Sequence, residues 1–305
     1  MKRKALHKIL RLPLARLISL ANKARRDFVG DTIELCSIIN AKSGLCNQDC
    51  KFCAQSRLHK THIKTYALKA KKEILAKALR AQDIGAKRFG IVTSGNTLSI
   101  EELKRICEAA SEIKEKLGIK LCASLGSISE DGLRLLKKAG VSRYHHNIET
   151  SARYFPRVAT THTFADRIAT IRRAKSCGLE VCSGGIIGMG ESMQDRLEMA
   201  LCLKELKVDA VPINILVPIK GTRLEGQQPL SCAEVIRTIA IFRIILKGKI
   251  IKIAAGRESA LKDFQALAFL AGADGMLIGG YLTVKGRAVE EDRRLVKEIK
   301  KLWMR

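Results

Sequence analysis

Three cysteines at CxxxCxxC spacing, Cys46, Cys50 and Cys53, stand just after an apolar run at residues 33–40. Thiolate is the ligand that iron in sulfur clusters prefers, and three packed this closely can take three corners of a cubane iron–sulfur cluster. The fourth iron is then left open to a small-molecule chelate. A structural zinc would instead need a fourth close ligand, for which the neighbourhood offers only His59 and His62. The spacing, and the scatter of the other cysteines through strand-like and helix-like segments, favour reduced, metal-binding thiols over disulfides and hence a reducing compartment, the cytoplasm.

The 305 residues, 47% of them apolar, suffice for one sizeable core and match the length of a single (β/α)8 barrel. No run approaches the length of a membrane span, and the N-terminus lacks the apolar core and cleavage site of a secretion signal. Lysine and arginine number 56 against 30 acids, a net charge of +26 that would ordinarily suggest nucleic acid. The basic residues are instead spread along amphipathic segments, and aromatics at 4% are too few for a base-stacking platform.

Apolar β-branched runs alternate with segments of helical period, the signature of repeated βα units. Strands are expected at residues 33–40, 88–93, 120–124, 143–147, 180–184, 210–215, 250–254 and 275–278. Ser99, Ser129 and Ser231 read as helix starts, and Gly140, Gly178 and Gly272 as stops. The expected fold class is α/β, a TIM-type (β/α)8 barrel in one domain. Residues 1–30 form an N-terminal extension with a helix at 5–28, residues 31–285 the barrel, and residues 286–305 a closing helix.

Reactive groups of such a barrel come from the C-terminal ends of its strands. Cys46, Cys50 and Cys53 follow the first strand, Asn147 and Glu149 end the fourth, a glycine-rich stretch at 184–191 follows the fifth, Asn214 ends the sixth and Arg257 follows the seventh. An amide at the end of an apolar strand needs a partner, a ligand or the backbone. Cys107, Cys177, Cys202 and Cys232 fall on helix segments and read as packing residues.

Residues 46–56 (CNQDCKFCAQS), 144–151 (YHHNIETS), 181–186 (VCSGGI), 211–217 (VPINILV) and 255–258 (AGRE), in that order, resemble the biotin synthases of the radical SAM superfamily. The resemblance runs from about residue 10 to about residue 302. It implies sulfur insertion between two unactivated carbons of dethiobiotin, driven by S-adenosylmethionine (SAM). It further implies Cys46, Cys50 and Cys53 as ligands of a SAM-cleaving 4Fe-4S cluster, with Phe52, Ile186 and Val217 near adenine and Asn147 and Glu149 on the ribose. Asn147 and Asn214 would face the ureido ring and Thr283 the substrate carboxylate. His145 and His146 stand beside Asn147, where one of them either faces substrate or packs in the barrel. A flavodoxin or ferredoxin electron donor, Fe–S assembly proteins and a homodimer are implied as well.

A second Fe–S cluster, the sulfur donor, is expected from the resemblance, and here the chain departs from the commoner pattern of three cysteines and an arginine. Cys122, Cys182 and Arg257 match three of those positions, but Gly90 stands where a cysteine should follow Arg88-Phe89. Cys36, on the neighbouring first strand, is the candidate replacement, and the cluster could be 2Fe-2S or larger. Two other readings compete. A hydrogenase-maturase-like or methylornithine-synthase-like barrel would have no use for Cys122, Cys182 and Arg257 together. A non-enzymatic Fe–S scaffold or RNA-binding protein would have none for Asn147, Glu149 and Asn214.

Overall fold

The computed structural model describes residues 8–283 and 286–304. Its parallel strands are β1 (Glu34–Lys42), β2 (Arg88–Thr93), β3 (Lys120–Ser124), β4 (Val141–His145), β5 (Glu180–Cys182), β6 (Gly185–Ile187), β7 (Ala210–Ile215), β8 (Ile250–Ile253) and β9 (Gly275–Leu277). They pair in the order β5-β4-β3-β2-β1-β9-β8-β7-β6, and Cys182 of β5 also pairs with Ala210 of β7, which closes the sheet into a barrel.

The expected fifth strand, residues 180–184, is interrupted, so β5 and β6 together make one stave. Sterics explain the break. A Cβ on Gly184 would lie 1.9 Å from the carbonyl oxygen of Pro212, and one on Gly185 would lie 2.2 Å from that of Glu149. The chain passes so close to both neighbouring strands here that only glycine fits.

Between the strands run α1 (Leu14–Phe28), α2 (Lys71–Asp83), α3 (Ile100–Lys116), α4 (Glu130–Lys138), α5 (Phe164–Ser176), α6 (Met193–Glu205), α7 (Cys232–Leu246), α8 (Arg257–Leu261), α9 (Gln265–Leu270) and α10 (Val289–Trp303). Ser99, Ser129 and Ser231 cap α3, α4 and α7 by accepting from the backbone N–H of Glu102, Gly132 and Glu234. Gly140, Gly178 and Gly272 follow α4, α5 and α9 at φ of 99°, 71° and 105°, the left-handed region that ends a helix.

The N-terminal helix differs from the single helix expected at 5–28. Residues 5–7 lie outside the described residues, residues 8–10 form a separate helical turn, and α1 begins after Pro13. Proline disfavours helical geometry in the residue before it, which separates the two pieces. The turn before α1 is held to α7 by Arg237, which donates to the Leu12 carbonyl at 2.8 Å, and α1 itself to α10 by Arg25, whose guanidinium lies 3.7 Å from the Trp303 ring centroid. The expected junction of barrel and closing helix, at 285 and 286, borders residues 284–285, which lie outside the described residues. Among the described residues no helix is long and apolar enough to cross a membrane.

Gly184→Ala drives a methyl into backbone that cannot move aside, so unfolding stability in urea is expected to fall by roughly 2–4 kcal/mol. Gly226→Ala, with open space around its Cβ position, is the control expected to change little.

Candidate active site

The loop after β1 carries the three thiols. It closes on itself where Cys46 N donates to the Gln55 carbonyl at 3.0 Å and Arg57 N to the Cys46 carbonyl at 2.8 Å. Asp49, between the first two cysteines, staples it to the loop after β4. Its carboxylate accepts from the backbone and hydroxyl groups of Thr160 and Thr161 at 2.5–3.1 Å. Although burial alone would raise its pKa, these bonds hold Asp49 well below the usual carboxylate range. Burial pushes the Cys50 thiol up to about 12, against the pull of Arg167, and the Cys53 thiol up to about 11. Metal binding here is therefore coupled to proton release. Among the described residues no three His, Cys, Asp or Glu side chains converge as they do around a single ion, and His59 bonds instead to the Cys53 carbonyl at 2.8 Å.

Below this loop the barrel encloses a cavity of about 410 Å³. Cys53 and Phe52 line its mouth, while Cys36, Cys122 and Cys182 line its deeper part. The strand pleat explains the gathering. Cys36 pairs with Arg88, Gly90 with Cys122, Cys122 with Arg143 and His145 with Cys182, so these inward positions stack in neighbouring layers. A Cβ at Gly90 would sit 3.2 Å from Ile38, a tight contact, and 3.9 Å from the Cβ of Cys122, so glycine keeps β2 without a side chain beside Cys122. Burial raises all three thiols, Cys36 to about 12.

Under the thiols lies a network of charge, buried but for the half-exposed Glu180. Glu34 accepts from Lys252 at 2.7 Å, Arg143 at 2.8 Å and Arg88 at 3.0 Å, and Glu180 accepts from Arg88 and Arg143 at 2.8 Å each. Burial alone would raise the Glu34 pKa, but Lys252 and Arg143 bring it down to about 2. Lys252 also donates to Cys36 Sγ at 3.0 Å. Burial alone would favour loss of its proton, an effect more than reversed by Cys36, Cys182 and Glu34.

Arg257 is the expectation that the structure corrects. It does not line the cavity; it opens α8, pairs with Asp292 of α10 at 2.7 Å and donates to the Tyr281 hydroxyl at 3.0 Å. Strand β8 ends at Ile253, so residue 257 lies beyond the barrel wall, whereas the alternation within β8 turns Lys252 inward. Among the described residues, the cation that donates a hydrogen bond to a deep thiol is Lys252, to Cys36.

On the cavity wall, Asn147 Oδ1 accepts from Gly184 N at 3.1 Å and its Nδ2 donates to Glu149 at 3.3 Å. Asn214 donates to the Gly185 carbonyl at 3.2 Å and accepts from Ala255 N at 3.3 Å. Both amides thus have backbone partners, yet each keeps a second N–H and a second lone pair. Glu149 stands at φ 66°, and burial raises its pKa despite Arg167 at 3.6 Å. His145, Ile186, Val217 and Thr283 also line the cavity. Burial lowers His145 to about 4, so its ring is neutral near pH 7. His146 points the other way, into a smaller pocket with His162, Arg167 and Arg173.

Sequence reasoning missed Glu34, Asp49, Arg143, Arg167 and Lys252. The available signal was charge at alternate positions of otherwise apolar strands, Glu34 in β1, Arg143 in β4 and Lys252 in β8. Asp49 and Arg167 carried no comparable mark.

Residues 42–203 match the family model of the Radical SAM superfamily, and residues 212–300 that of the Biotin and Thiamin Synthesis associated domain. The biotin synthase of Thermotoga neapolitana is 56% identical over 271 residues, covering 88% of this chain and 97% of its own length. That of Thermotoga petrophila is 52% identical over 298 residues, covering 97% of this chain and 98% of its own. The chain belongs to the biotin synthase family. It is accordingly a SAM-dependent radical enzyme of the sulfurtransferase type. Two solved structures share its fold at low identity. Methylornithine synthase superposes with TM-score 0.84 at 21% identity, covering 98% of this chain and 92% of its own. The FeFe-hydrogenase maturase of Carboxydothermus hydrogenoformans superposes with TM-score 0.78 at 18%, covering 97% and 76%. Those are the two barrels that the sequence left as alternatives, and the identities place this chain with the biotin synthases instead.

The depressed Glu34 pKa sets a pH dependence for this biotin synthase family member in its metal-free form. A carboxylate lowered from 4.5 to about 2 contributes stability that is complete above its unfolded pKa and lost as pH falls through the folded one. The contribution is on the order of 3 kcal/mol. In urea unfolding, the advantage of wild type over Glu34→Gln is expected to shrink as pH falls from 4.5 towards 2; an advantage constant across that window would refute the assignment.

Proposed function

We propose that this chain inserts sulfur into dethiobiotin to give biotin, using one metal group at the mouth of the barrel and a second deeper in the same cavity. The observation that carries this reading is one cavity of about 410 Å³ lined both by Cys53, the last thiol of the Cys46–Cys50–Cys53 loop, and by Cys36, Cys122 and Cys182.

The donors fit the groups proposed for them. Cys46, Cys50 and Cys53 would hold a 4Fe-4S cluster with SAM, and Cys36, Cys122 and Cys182 a second Fe–S cluster, with thiolates as the only anionic ligands in each set. When bound, these groups supply the electron that cleaves SAM, the carbon-centred radical that removes hydrogen from the substrate, and the sulfur that replaces it. The protein's part is to bind, orient and enclose.

Phe52, Ile186 and Val217 offer apolar surface for adenine around the cavity. Glu149 and Asn147 present acceptors for ribose hydroxyls, and Arg167, 3.6 Å from Glu149 and bonded to the Asn147 carbonyl, adds positive charge behind them. The free N–H and lone pair of Asn147 and Asn214 match the alternating donors and acceptors of a ureido ring, and Thr283 stands where a hydroxyl can meet the substrate's carboxylate. Neutral His145 offers one donor and one acceptor without adding charge. Lys252, whose proton is held by Cys36, Cys182 and Glu34 against burial, would act on the second group as a hydrogen-bond donor to its Cys36 ligand rather than as a ligand itself. The second cluster would be 2Fe-2S or a larger group, with Gly90 in place of the side chain that the commoner pattern puts on β2.

Reducing conditions in the cytoplasm, an external flavodoxin or ferredoxin, Fe–S assembly proteins and a homodimeric state belong to the same proposal. Buried thiols that must bind metal favour the first, and the basic balance of +26 suits acidic protein partners.

Anaerobic incubation of the reconstituted, reduced protein with SAM and dethiobiotin is expected to give 5′-deoxyadenosine and biotin by mass spectrometry. Cys36→Ser is expected to keep SAM cleavage while losing biotin formation and the iron and sulfide of the second cluster; an unchanged second cluster would remove Cys36 from the ligand set. Lys252→Met is expected to alter the absorption and EPR signals of that cluster. Arg257→Met should leave those signals unchanged and instead cost about 3–5 kcal/mol of stability by breaking the buried pair with Asp292.

A further inference from the structure

Leu45, one residue before the first thiol of the loop, adopts φ 53° and leaves its side chain 75% exposed. Left-handed backbone costs a residue with a branched side chain about 1–2 kcal/mol, and it persists only where the surroundings impose it. Here the imposing contacts are Gly44 N to the Gln55 side chain at 3.2 Å and Cys46 N to the Gln55 carbonyl at 3.0 Å. The strain thus comes with a large apolar side chain presented to water, and no fold contact offsets it. Leu58, 51% exposed, follows the bridge between Cys46 and Ser56 and shares this rim.

Cations border the apolar pair. Residues 57–64 contain Arg57, Lys60 and Lys64 and no carboxylate, and all three are exposed. The loop carrying exposed Lys220 and Arg223 touches the same segment, since a Cβ on Gly221 would lie 2.1 Å from the Lys60 carbonyl. The one acid there, Glu225, accepts from Gly221 N at 2.7 Å. This rim sets exposed leucine beside exposed positive charge, with Leu45 and Leu58 flanking the bridge that joins Cys46 to Ser56.

We propose that the rim formed by Leu45, Leu58, Arg57, Lys60, Lys220 and Arg223 docks a small acidic one-electron carrier protein. The inference rests on the reading of the cysteine loop as the centre that receives the electron. An electron-transfer complex must form and separate on each delivery, which favours a small interface with an apolar centre and a charged border. Opposite charge raises the encounter rate and orients the partner. Nucleic acid is the poorer occupant, because the rim presents aliphatic side chains where base stacking needs aromatic ones.

Reduced flavodoxin and dithionite, used in parallel as electron sources for SAM cleavage, test the proposal. Lys60→Glu with Arg223→Glu is expected to raise the KM for flavodoxin at least about tenfold while leaving dithionite-driven cleavage unchanged. Leu45→Gly, which also relieves the left-handed strain, is expected to raise the same KM without loss of stability. Lys297→Glu with Lys300→Glu, exposed on α10, makes the same change in net charge away from the rim and is expected to have no effect beyond that of ionic strength. Rim variants that accept electrons from flavodoxin as well as the α10 variant would overturn the docking surface. Absence of dithionite-driven cleavage in the unmodified, reconstituted protein would overturn the reading of the cysteine loop, and the docking proposal with it.

Discussion

One carboxylate ties the lower barrel together. Glu34 on β1 accepts from Lys252 on β8, Arg143 on β4 and Arg88 on β2, at 2.7–3.0 Å. A buried guanidinium or ammonium without such a partner is strongly unfavourable, so these strands have a common register or no stable barrel. The register in turn decides which cysteines meet. Cys36 stands two residues above Glu34, Cys122 opposite Arg143, and Cys182 two residues above Glu180. With three cations against the two carboxylates Glu34 and Glu180, the floor keeps an excess positive charge that favours an anionic group in the space above it.

At the mouth the dependence runs through hydrogen bonds. Asp49 fixes the cysteine loop to Thr160 and Thr161, and the same β4–α5 segment carries the approach to Arg167, which donates to the Asn147 carbonyl at 2.9 Å. Glu149 closes the circuit by accepting from Ile186 N through its own carbonyl at 2.9 Å. The thiol loop, the polar wall and the glycine-rich turn after β5 are therefore one connected layer. That layer rests on the barrel, and its members cannot move independently.

Much of this could be read from residue order. CxxxCxxC spacing located the mouth, apolar runs located the staves to within two residues, and serine and glycine located helix ends where the chain places its caps. Cys36 was legible because strand alternation turns it inward beside the position vacated at Gly90. Lys252 is equally legible by that alternation, whereas Arg257, the arginine that the resemblance implies, stands just past the end of β8. The break between β5 and β6 depends on the approach of Pro212 and Glu149, contacts far away in the chain, and only the pair of glycines hints at it. Arg167 sits on a helix among many surface-directed basic residues. Nothing in its local pattern distinguishes it from Arg172, one turn on, which faces solvent.

The barrel closes between its first stave and its last, with Cys36 of β1 beside Leu277 of β9. A ribosome therefore delivers one wall of the deep cavity early and the opposite wall, Lys252 on β8 included, only after most of the chain has emerged. Throughout that interval Cys36, Cys122 and Cys182 have neither their floor of cations nor a lid, and each is an ordinary reactive thiol in solution. The three thiols thus reach their common cavity only when β8 and β9 join β1, so their gathering belongs to the completed barrel and to no shorter part of the chain.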